Sequence, residues 1–187
     1  MNVAFHTLSA LAIGQTAACR LQPGASRRRR AAIAVVTFLL GVMSHGVLDG
    51  LPHEYPFRWP GEVLVTTPLV VLWMVLIQAR YRALLLIAIA GALVPDVIDH
   101  VPRDLNRHLG THLPEVTKLF PWHHRGGSGS LSGAVPLDAR IASVTNHIIV
   151  VAFSATMLWL SRRALRFGAR PAPAAPDPVT NDHNRLR

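Results

Sequence analysis

The chain has 187 residues, half of them hydrophobic and only 16% charged, yet its formal net charge is +9. That length fits one domain, and a single cysteine, Cys19, excludes an intrachain disulfide and a cysteine-rich zinc site. The arginines stand in clusters between apolar runs, at Arg27–Arg30, at Arg80 and Arg82, and at Arg162 and Arg163. This is the pattern of positive loops flanking membrane helices, and no nucleic-acid partner is expected.

In chain order, Val3 to Cys19 is apolar apart from His6, Thr7, Ser9, Gln15 and Thr16. It lacks the basic stretch that precedes a secretory signal, and it reads as a first, slightly short membrane helix. A basic loop from Arg20 to Arg30 leads into Ala31 to Leu51, long enough to span a bilayer, with His45 and Asp49 near its end. Three prolines between Pro52 and Glu62 rule out a long helix there. The aromatic residues Tyr55, Phe57 and Trp59 of that loop suit a membrane interface.

Val63 to Ala79 is a third span, bent near Pro68, and the Arg80/Arg82 turn follows. Ala83 to His100 is the fourth. It ends in Asp96, Asp99 and His100, at i, i+3 and i+4 on one helix face. Ionisable groups on a membrane helix are costly and mark function by default. Residues 101–140 form a long polar loop holding His108, His112, His123 and His124, with a Gly/Ser-rich piece from Gly126 to Gly133. Pro136 to Arg163 is the fifth helix, with Asp138 near its N-terminus and His147 a few turns in. Residues 168–187, rich in Pro, Ala and polar residues, read as a disordered tail.

The fold expected is an all-α polytopic membrane bundle of about five transmembrane helices over residues 1–167. One side of such a bundle receives 13 of the 19 basic residues and two of the ten acids. The positive-inside rule then puts the N-terminus outside and the C-terminus in the cytoplasm of a bacterial inner membrane. Nine of the ten histidines fall on the outer side; only His183 lies in the tail. A polar cluster at the outer membrane surface follows, roofed by the long loop.

Imidazole with carboxylate suits zinc, manganese or iron. His45 and Asp49 sit at i, i+4 and can serve one ion, and Asp96 and His100 repeat the spacing on another helix. His6 adds a further donor. Of the pair His123 and His124, one is expected at the site, and the reading takes His124. The expected ligands of a divalent transition metal, zinc or manganese, are therefore His6, His45, Asp49, Asp96, His100 and His124. An open position on that metal would activate water for attack on an ester or phosphoester. Asp99 would be a ligand or the base, and Arg125 would hold an anionic group. The Gly126–Gly133 stretch would bring backbone N–H groups near the anion or move as a lid.

Four stretches resemble motifs of the membrane-bound metal-dependent hydrolases: His6 with Gly14; Pro95, Asp96, Asp99 and His100; His124, Arg125, Gly126, Ser128 and Ser130; and Ser44, His45 and Asp49. At the second histidine of the loop motif this chain has Gly129. The resemblance implies a metal and hydrolysis of an unidentified substrate. The function expected is hydrolysis of a phosphoester or ester, with a lipid among the candidate substrates, at the outer face of the membrane. Two other classes fit a His/Asp cluster among spans: a carrier for a metal ion or proton, and a structural protein whose cluster only holds helices together.

Overall fold

The computed structural model describes residues 3–22, 24–54, 61–114, 118–124, 129–131 and 135–165. Six helices appear in that part of the chain: α1 (Val3–Arg20), α2 (Arg27–Gly50), α3 (Gly61–Leu76), α4 (Arg82–Asp99), α5 (Val101–Leu109) and α6 (Leu137–Leu160). No strand occurs among the described residues; two isolated bridges join His53 to Ser130 and Ile77 to Leu165.

The segments α2, Ala79–Asp99 and α6 are long and apolar enough to cross a membrane. They carry much of their apolar surface outward, including Val36, Leu40 and Val47 on α2 and Ile148, Phe153 and Trp159 on α6. In water such surface would be a liability; facing lipid it is the expected exterior. The α3 helix is apolar but only 16 residues long, contains Pro68, and buries no residue. By contrast α1 is the centre of the bundle, packing against α2, α3, α4 and α6. Its buried side includes His6, Leu11, Gly14, Gln15 and Ala18.

Small residues let the backbones approach closely. A Cβ on Gly41 of α2 would lie 2.6 Å from the Ala88 carbonyl oxygen of α4, and one on Gly91 would lie 2.2 Å from that of Phe38. Ala10, Ala88 and Ala92 fill the adjoining α1–α4 seam. The two ends of the bundle differ. At the basic end, Gln15 donates to the Leu158 carbonyl (2.7 Å) and the Ser161 hydroxyl (3.0 Å), and accepts from the Trp73 indole (2.9 Å). His6 of α1, His45 of α2 and Asp96 of α4 all lie at the opposite end.

The loop after α4 is more structured than its polarity predicts. Val101–Leu109 is helical, with a proline in its first turn and Gly110 closing it at a left-handed φ of 65°. The Asn106 side chain then staples the following turn, bonding to Thr111 and Leu113. The aromatic loop Tyr55–Trp59, Arg125, residues 126–128 and the tail 168–187 lie outside the described residues.

Candidate metal centre

Four segments meet at the end of the bundle opposite Gln15. The α2–α4 glycine contact brings His45, one turn past Gly41, against the last turn of α4. There the His45 Nδ1 donates to the Ala92 carbonyl at 2.6 Å. Pro95 sits in this turn and has no N–H for the Gly91 carbonyl, one residue before the acceptor that His45 uses. With Nδ1 committed as a donor, His45 Nε2 is left with its lone pair facing the cluster.

His123 is delivered by the 3-10 turn Pro121–His123. The preceding Trp122 lies over Gly46, where a Cβ would come within 2.7 Å of the indole ring. Asp99, with a fully buried side chain, holds the segment. It accepts from the Leu119 and Phe120 N–H groups (2.8 and 3.0 Å) and from His123 Nδ1 (2.7 Å). That last bond fixes the tautomer, so His123 Nε2 also points its lone pair inward, as a carboxylate behind a metal-ligating imidazole does.

The donors converge. His45 Nε2 lies 3.2 Å from His123 Nε2, 3.2 Å from Asp49 Oδ2 and 3.6 Å from Asp96 Oδ1. His123 Nε2 lies 3.4 Å from each of the same two carboxylate oxygens. One donor atom from each of the four residues falls within 4.8 Å of every other. Bonds of about 2.1 Å to a tetrahedral ion place neighbouring donors about 3.4 Å apart. The five distances from the two imidazole Nε2 atoms, 3.2–3.6 Å, match that spacing. Without a cation, two imidazole lone pairs and two carboxylate oxygens would face one another in a buried space.

A proton on His123 is the other way to settle that charge. Burial alone lowers its pKa, but hydrogen bonds to Asp49, Asp96 and Asp99 outweigh burial and raise it to about 10. Proton and metal thus compete for one Nε2.

The remaining expected residues fall around this core. His6 stacks on His45 with ring centroids 4.0 Å apart, and its Nε2 lies 3.1 Å from Asp49 Oδ1. It orients the carboxylate from behind. His100 stands at the rim, 4.0 Å from Asp96 Oδ1, with Arg103 on its Nδ1 at 3.3 Å. Asp99 has its oxygens occupied by the loop and by His123. His124 points away: it is exposed, and its Nε2 donates to the Lys118 carbonyl. Its neighbour His123 takes the inward place. Ser44 bonds to the Gly41 carbonyl, outside the cluster. His147 packs on Phe5 instead, and His108 and His112 are exposed.

His53, fully buried, belongs to a second clasp. Gly129 N–H donates to the Asp49 carbonyl, His53 N–H to the Gly129 carbonyl, and Leu131 N–H to the His53 carbonyl. A Cβ on Gly129 would lie 2.0 Å from the Leu51 oxygen, so no side chain fits there. Gly129 is a backbone contact that steadies the end of α2; no histidine is needed at that place.

No family model, curated protein or solved structure matches this chain. A buried His/Asp set that could hold a metal ion, at one end of an all-helical protein with three membrane-length apolar helices, is what the structure establishes.

Proposed function

We propose that the chain is a metal-dependent hydrolase of the bacterial inner membrane, acting on a phosphoester or ester at the outer face. The observation that carries this reading is the inward pair of Nε2 lone pairs, each held by an acceptor on its own Nδ1 and each 3.2–3.6 Å from the Asp49 and Asp96 carboxylates. His45, Asp49, Asp96 and His123 hold the ion, zinc or manganese; His6 and Asp99 orient two of those ligands. A bound ion of this kind supplies Lewis acidity, polarising the substrate's oxygen and making water acidic enough to attack. The open flank is at Asp96, whose side chain is 32% exposed while that of Asp49 is 11% exposed. His100, on that flank, is placed to take a proton from attacking water. A membrane-lipid headgroup reaches the same flank. The topology that goes with this reading has α1 and α3 crossing beside the three longer segments, the N-terminus outside and the C-terminus in the cytoplasm, following the arginine clusters.

The test is elemental analysis of detergent-purified protein, followed by hydrolysis of bis(p-nitrophenyl) phosphate and p-nitrophenyl acetate with and without chelator. About one zinc or manganese per chain and chelator-sensitive turnover are expected, both lost in His45→Ala. A second reading has support in the count of four protein donors, since structural zinc sites are closed by four ligands. A purely structural metal gives the same metal content and no turnover of either ester, with a lower thermal midpoint after chelation.

A further inference from the structure

A cleft of about 770 Å³ runs along the bundle between α1, α2 and α6, from Arg20 and Ala32 at the basic end to Ser44, Leu48 and Leu51, and none of the four metal ligands lines it. Its volume lies in the range of small-molecule sites. Its walls are almost wholly apolar, among them Ile13 and Ala17 on α1, Leu40 on α2 and Phe153 on α6. Arg20, at the basic end of α1, is the one charged residue among its lining residues. Two lining hydroxyls, Thr16 Oγ1 and Ser154 Oγ, are buried and have no hydrogen-bond partner, and Ser154 is only 1% exposed. An unmade hydrogen bond at a buried hydroxyl is costly, so a partner is to be expected there.

We propose that this cleft binds one acyl chain of an anionic phospholipid, drawn from the leaflet at the basic end. The order of groups on α1 matches the order of groups along such a lipid. The Arg20 guanidinium meets the phosphate, as a planar fork suited to it. Thr16, one turn further in on the same face, donates to the ester carbonyl; a turn is about 5.4 Å of helix axis. Ile13, Ala12 and Ser9 continue the stripe along the hydrocarbon chain. Ser154 receives or donates across from α6. Arg27–Arg30, opening α2 beside the same end, add to the attraction for anionic headgroups.

Two measurements test this. In the first, wild-type protein is reconstituted into vesicles of equal parts phosphatidylglycerol and phosphatidylcholine, and released into native mass spectrometry. One retained phosphatidylglycerol per chain is expected, favoured at least tenfold over phosphatidylcholine. Arg20→Gln removes the preference, Thr16→Val weakens it, and Ser154→Trp, which plugs the cleft, removes retention of both lipids. In the second, phosphatidylglycerol carrying a photoreactive acyl chain is cross-linked to wild-type protein, which needs no variant to fold. Adducts on Ile13 and Ala17 at the cleft floor are expected. Equal retention of the two lipids by the wild type, or adducts confined to outward residues such as Met43 and Ile148, overturns the proposal. So does a cleft closed by a second copy of the chain, seen as a lipid-free dimer.

Discussion

His123 and His124 are adjacent, yet only one serves the cluster, and the reason is local. The 3-10 turn directs His123 into the carboxylates, while the following residue, in extended backbone, turns His124 to the Lys118 carbonyl. His123→Ala is expected to abolish metal retention and His124→Ala to leave it unchanged. Asp99→Asn, which removes the charged acceptor behind His123, weakens metal affinity about 10–100-fold. Equilibrium dialysis against zinc separates the three. The protonation of His123 adds a pH dependence with a definite sign. In chelator-treated protein its pKa stands near 10, above the unfolded value of 6.5. Its contribution to stability is therefore full below pH 6.5 and is lost as pH rises toward 10. The thermal midpoint of the metal-free protein should fall across that window, and the fall should vanish in His123→Gln. Zinc uptake at pH 7 should release about one proton, which a weakly buffered indicator assay reads.

At the scale of elements, the site depends on how near α2 and α4 come. Gly41 and Gly91 touch the opposing backbones, so any side chain there pushes the helices apart. Gly91→Val should cost about 1–3 kcal/mol of stability by over-packing. It should also cost metal affinity, because His45 and Asp96 ride on the two helices it separates; thermal unfolding and zinc dialysis of the same preparation measure both. The sequence carried part of this arrangement openly. The i, i+4 pair His45/Asp49 and the i, i+3, i+4 set Asp96/Asp99/His100 were legible from helical spacing alone. Which member of each set would face inward was not legible, because that depends on the rotation of each helix about its seam. Asp99 and His100 share a face with Asp96 on a wheel, yet one reaches back to the loop and the other stays at the rim. The His123 position had a weak signal: Trp122 beside it needs a hollow, and Gly46, next to His45, provides one.

For the whole molecule, the all-helical architecture followed from apolar runs punctuated by arginine, proline and glycine. The central role of α1 did not. Its modest apolarity reads as a marginal span, but Gln15 and His6 are polar because the helix is surrounded by protein, where each finds a partner. The helix in the long loop was also hidden, since Val101–Leu109 is short and buries no residue, and its apolar stripe rests on Val101, Leu105 and Leu109 alone. The proposed topology can be checked in intact cells with a Cys19→Ser background. A cysteine placed at Leu109 should react with a membrane-impermeant maleimide, and one placed at Gly168 should not. Equal labelling of both would remove the two-sided arrangement on which the outer-face site depends.

The four inward donors are spread from residue 45 to residue 123, and the last of them arrives on a loop that the end of α4 must already anchor. No shorter N-terminal portion can make the cage. With the proposed metal site, then, ion capture during biosynthesis would be a late event: α2 and α4 would have to be packed together, and the loop beyond α5 folded back, before there is anything for the ion to enter. Metallation would thereby report that the helices have been assembled.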